Sequence, residues 1–185
     1  MRNIAVLTAA MILASCGGNS IVGSLDTRQN AGPCPVGGAI YDASRIVVTD
    51  GGGTNFTNIA YTGEVTGVRV FCRYLDDQPL DAELEIDFAL GKGPQATSNQ
   101  HTYPYFVAVT RRNGKVLAKQ YFSVEGDFSS GPVVGKREVV QDIVIPRADD
   151  TISGANFEII VGFELTEDEL KFNREGRRFR LDAGN

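Results

Sequence analysis

The chain has 185 residues, 18 Lys and Arg against 23 Asp and Glu, a formal net charge of −5, one histidine, three cysteines and no tryptophan. That acidic balance argues against nucleic acid as the main partner, and with one histidine the usual zinc ligand sets would need cysteines that are committed elsewhere. With a short apolar leader set aside, about 170 residues remain, the size of one domain with a tail.

The leader comes first. Met1-Arg2-Asn3 carries one positive side chain, and Ile4 to Leu13 is apolar except for Thr8. Such a run is too short to cross a bilayer, which takes roughly 20 residues. It ends in Leu13-Ala14-Ser15-Cys16, an aliphatic residue, two small ones and a cysteine. These 16 residues resemble the signal peptide and lipobox of bacterial lipoproteins. The resemblance implies that residues 1–15 are removed and that Cys16 carries the acyl chains, palmitate among them. The lipid bilayer is then a partner, held through acylated Cys16. Gly17 and Gly18 stand where an aspartate would mark retention at the inner membrane, so the resemblance points to the outer membrane, facing the periplasm. One acyl chain binds a bilayer marginally and further chains make the attachment durable.

Residues 17–33 are rich in Gly, Ser, Asn and Asp and show no period. They read as a flexible tether, with 16–33 as the lipidated linker, spanning about 20–25 Å on average. Once Cys16 is acylated, Cys34 and Cys72 remain as an even pair in an oxidising compartment, where pairing is the default. The absence of any C-x-x-C spacing argues against a redox or zinc role.

The domain is expected over 34–176. Ile40 to Thr49 holds the apolar group Ile46-Val47-Val48 and contains the first expected strand, and the glycine run 51–53 that follows lacks the Lys-Ser/Thr of a phosphate loop. Ile59 to Tyr74 reads as extended chain whose apolar phase switches at Thr66-Gly67, the mark of a bulge. Asp76-Asp77-Gln78-Pro79 is a turn. Ala82, Leu84, Ile86, Phe88 and Leu90 then alternate with Glu83, Glu85, Asp87 and Ala89, the pattern of a half-buried antiparallel strand with an acidic wet face.

Gly91 to Tyr103 is polar and reads as irregular, with His101 in a solvated loop. Tyr105–Arg112 and Lys115–Val124 flank Asn113-Gly114, the signal of a hairpin closed by a type I′ turn. Val116, Ala118, Phe122 and Val124 are expected on its inner face. Gly126 to Gly135 reads as a loop, Glu138 to Ile145 as a strand burying Val140, Ile143 and Ile145, and Phe157 to Phe163 as another. Thr166 and Glu169 form a capping box opening a short helix that Gly176 ends, and 177–185 is a basic tail.

About seven short strands without βαβ alternation specify an all-β fold, an antiparallel β-sandwich of immunoglobulin or fibronectin III type with one C-terminal helix. A small closed barrel is the alternative. The Cys34-Pro35 start, Phe71-Cys72-Arg73-Tyr74 and the 105–124 hairpin together resemble a group of small proteobacterial envelope lipoproteins, a likeness that brings no activity with it.

No chemistry stands out. His101 has no Gly-x-Ser-x-Gly segment beside it for a triad. Glu83, Glu85 and Asp87 share a strand face as carboxylates in a row usually do toward water, and no calcium loop is present. The expected function is therefore that of a non-enzymatic anchored module, without a cofactor or metal, that binds a protein partner in an envelope assembly. A glycan- or peptidoglycan-binding module is the second reading. Candidate contacts are Tyr103 and Tyr105 in the aromatic cluster around Pro104, and Lys171, Arg174, Arg177 and Arg178 in the basic end, where 171–180 carries five bases and one acid.

Overall fold

The structure is a computed structural model that describes residues 32–176, apart from 51, 52, 54, 76 and 77. The lipobox, most of the tether, the Asp76-Asp77 step and the tail with Arg177 and Arg178 lie outside the described residues.

Among the described residues eight strands and one α-helix follow in order: β1 (Val36–Ala39), β2 (Arg45–Thr49), β3 (Ile59–Arg73), β4 (Leu80–Lys92), β5 (Gln100–Arg111), β6 (Val116–Asp127), β7 (Val133–Ile145), β8 (Phe157–Phe163) and α1 (Glu167–Arg174). They form two four-stranded sheets, β1-β8-β5-β6 and β2-β3-β4-β7. Every pairing is antiparallel except β1 with β8. The expected β-sandwich is present.

Strand β4 builds the core of one layer. Leu80, Leu84, Ile86 and Leu90 are fully buried while Asp81, Glu83, Glu85 and Asp87 face outward, because successive side chains point to opposite faces. From the other layer Tyr103, Tyr105, Ile159, Val161 and Phe163 meet them. Phe88 contacts the rings of Tyr105 at 5.1 Å and Phe163 at 5.8 Å, in the tilted geometry that aromatic pairs favour. The β3–β4 register slips between Val65 and Gly67, where the bulge was expected.

Five expectations need correction. A short strand, β1, precedes the one expected in 40–49; with two glycines in four residues it has no pattern of its own, and only its pairing to β8 makes it a strand. Strand β5 begins at Gln100, so His101 belongs to a strand. The 126–135 loop shrinks to 128–132, as β6 and β7 extend from either side. The Asn113-Gly114 hairpin forms, but only Gly114 has positive φ (82°) there. The Arg111 carbonyl accepts from the Gly114 N–H, and the Arg111 N–H donates to the Lys115 carbonyl. This is a type I turn with glycine in the left-handed position, the three-residue closure of a hairpin rather than type I′. Of the return-strand residues expected inside, Val124 is buried and Phe122 half-buried, whereas Val116 and Ala118 are exposed on this outer strand of its sheet.

The helix forms as its capping box specifies. The Thr166 hydroxyl accepts from the Glu169 N–H, and the Glu169 carboxylate accepts from the Thr166 N–H at 2.8 Å. Gly176 follows with φ 73°. Thr166→Ala is expected to lower stability by roughly 0.5–2 kcal/mol, read as a shift in the denaturant midpoint with unchanged slope.

Candidate functional site

The best-built feature is the point where the N-terminal segment enters the sandwich. Cys34 precedes β1 and Cys72 lies near the end of β3; the two form a disulfide with Cα atoms 5.6 Å apart. Two residues beyond Cys72, Tyr74 makes a second fastening. Its hydroxyl donates to the Pro33 carbonyl at 2.8 Å and accepts from the Gly154 N–H at 2.7 Å. Gly154 is required here, because a Cβ at that position would lie 2.6 Å from the Pro33 carbonyl oxygen and 2.8 Å from the Tyr74 oxygen. Arg147 stacks its guanidinium 5.1 Å from the Tyr74 ring centroid and donates to the Gln78 carbonyl at 2.7 and 3.0 Å. One covalent bond and one buried tyrosine thus tie the entering chain to β3 and to the 146–156 loop.

Beside this entry, on the outer face of the β2-β3-β4-β7 sheet, lies a shallow depression of about 410 Å³ lined by Phe71, Cys72, Arg73, Asp81, Glu83 and Asp142 among others. Asp142 has φ 58°, in a bulge that lets β7 skip a residue between its pairings with Ala82 and Leu84. The acidic row of β4 is neutralised by its neighbours. Arg69 reaches Glu85 at 3.0 Å and Asp87 at 2.8 Å, Arg137 reaches Asp87 at 2.7 Å, and Arg73 reaches Asp81 at 3.2 Å. Gln141 donates to Glu83 at 3.0 Å. Hydrogen bonds from Arg137 and then Arg69 hold the Asp87 carboxyl below the ordinary carboxylate range. The result is a mosaic of matched charges on an exposed face, where such pairs add little stability.

Tyr103 and Tyr105 are not surface aromatics. Both are buried in the core, because on β5 the odd-numbered residues 103 to 109 point between the sheets. The Tyr103 hydroxyl donates to the Gly91 carbonyl at 3.3 Å, and burial raises its pKa; burial also pushes Tyr105 up to about 12. Neither ring can meet a glycan, so the candidate aromatic contact at 103–105 is absent from the surface.

His101 is half-buried rather than solvated. Its ring stacks on Tyr61 with centroids 4.0 Å apart and meets Tyr103 edge-on at 4.6 Å. Burial lowers its pKa from the ordinary 6.5. The unfolded chain then binds this proton more readily than the folded one, so stability should fall as pH drops below the ordinary histidine value and stay flat above it. His101→Phe keeps the stack and is expected to flatten that decline in denaturant midpoints between about pH 7 and pH 5. A decline unchanged in the variant would assign it to other groups; Asp87, Asp127 and Asp149, all held low, act in the same direction only in the carboxylate range.

Of the basic end, Lys171 is exposed, and Arg174 is exposed with its Nε donating to Asp42 at 2.9 Å. The residue that docks the helix is Asn173, near its C-terminal end. It is buried, and its amide donates at 2.8 Å to the carbonyls of both Asp42 and Arg45. Leu170 is half-buried. Comparison of the chain with protein-family models, with curated proteins and with solved structures finds no match.

Proposed function

We propose that this is a lipid-anchored envelope protein of the outer membrane whose β-sandwich is a non-catalytic module that binds a protein partner. The observation that carries the reading is the reinforced chain entry. A domain held by its N-terminal segment transmits load through Pro33 and Cys34, and these are the residues clasped by Cys72 and Tyr74. The lipobox-like Leu13-Ala14-Ser15-Cys16 supplies the anchor upstream of that clasp. The charge-paired outer face of β4 supports a docking rather than a catalytic role, because its carboxylates are engaged with Arg69, Arg73 and Arg137.

Two measurements on the full chain test this. Cys16→Ser should move the protein out of the membrane fraction, and retention after a high-salt wash would refute lipid anchoring. Affinity capture of the anchored protein from detergent-solubilised membranes should recover a stoichiometric protein partner; recovery of none would refute partner docking. Co-sedimentation with peptidoglycan would instead favour a glycan-binding module, a reading weakened by the burial of Tyr103 and Tyr105.

A further inference from the structure

Each open sheet presents two edge strands, and unpaired edges invite pairing unless they are shortened, covered, charged or kinked. Three of the four edges here are managed. β1 is four residues long. The start of β2 is covered by α1, where Asn173 bonds the Arg45 carbonyl. β7 carries Lys136 and Arg137 and is kinked by the bulge at Asp142. The fourth edge, β6, is 12 residues long, and its one register slip lies at its start, between the pairings of Val116 and Ala118. Its lysine does not guard it: the Lys119 ammonium is folded back over the rings of Phe106 at 4.0 Å and Tyr121 at 4.8 Å.

The backbone phase of this edge follows from Pro104. Its carbonyl accepts from the Glu164 N–H, so the even-numbered residues of β5 bond toward β8 and the odd-numbered ones toward β6. Opposite those odd residues stand Ala118, Gln120, Phe122 and Val124, which therefore bond back to β5. Lys119, Tyr121, Ser123 and Glu125 are left with N–H and C=O groups directed at the open edge, and their side chains share the outer face.

We propose that the β6 edge pairs with the same edge of a second copy of this chain, in an antiparallel ladder centred on Phe122. About a twofold axis perpendicular to the sheet, that register places Lys119 opposite Glu125 of the second copy, and Glu125 opposite its Lys119, with Tyr121 facing Ser123. Two opposite-charge cross-strand pairs form at once, and two four-stranded sheets become one of eight. Moving the centre to Tyr121 sets Lys119 against Ser123 and Glu125 against Leu117, and loses both pairs. The charge pattern of the strand is self-complementary in the Phe122 register, and the exposed rim of Val116 (56 % accessible) and Tyr121 (60 %) is apolar.

Sedimentation equilibrium of the full chain in density-matched detergent tests the proposal. A monomer–dimer equilibrium is expected. K119E or E125K alone should each raise its dissociation constant on the order of tenfold, since two attractive pairs become repulsive, and the double reversal K119E/E125K should restore it. Both positions are exposed, and an unchanged melting temperature confirms that each variant is folded. A chain that stays monomeric, a dimer indifferent to the single reversals, or a double variant that fails to recover would each overturn the pairing.

Discussion

Replacing both Cys34 and Cys72 by alanine is expected to lower stability by roughly 3.5–4 kcal/mol, the chain-entropy value for closing a loop of this size. The sequence separation is 38 residues, so the reduced, unfolded chain gains a large set of conformations that the cross-link forbids. The loss therefore acts mainly through the unfolded state. It should appear as a lower denaturant midpoint in the double variant, and in the wild-type chain on adding a reductant. A midpoint unmoved by both treatments would mean that the bond does not form in the folded protein.

Tyr74→Phe is expected to lower stability by about 1–3 kcal/mol, the cost of leaving a buried polar group without its partner. The ring still packs beneath Arg147, but the Gly154 N–H loses its acceptor in a buried site and the Pro33 carbonyl loses its donor. Unlike the disulfide, this contact acts on the folded state. The two fastenings hold neighbouring residues of one segment, so their losses should not add. In a double-mutant cycle, Tyr74→Phe in the Cys34/Cys72 alanine background should cost less than in the wild type by about 0.5 kcal/mol or more. Limited proteolysis should find the chain ahead of β1 cut sooner in either variant. Full additivity would show two independent contacts rather than one clasp.

Where local rules dominate, the chain is legible from its residues. The five-fold alternation from Ala82 to Leu90 could bury its apolar set in only one register, and β4 lies where that alternation says. The Thr166–Glu169 box is a contact between residues three apart, closed by their own backbone. The bulge near Thr66-Gly67 was visible because the apolar phase inverts within a single strand. The cysteine pair followed from counting thiols, given the address read from the first 16 residues.

Other features depend on residues far apart in the chain. β1 has no pattern and becomes a strand because β8 offers it a partner more than 120 positions away in the register Val36 to Glu158. The hairpin's type I closure was set by how β5 and β6 align along their length, not by Asn113-Gly114 alone. Tyr103 and Tyr105 read as an aromatic cluster beside a polar loop, with Tyr105 already on a strand, and the pleat of β5 and the opposing face of β4 put both rings inside. Asn173 is an unremarkable helix residue until α1 folds back across β2 and brings two carbonyls within 2.8 Å of it. The same holds for the clasp at the chain entry, where Pro33, Tyr74 and Gly154 have no common motif. Periodicity and capping act within a few residues and leave their mark on composition. Strand partners, edges and buried hydrogen-bond partners are selected by packing across the whole chain, and only the assembled sandwich brings them together.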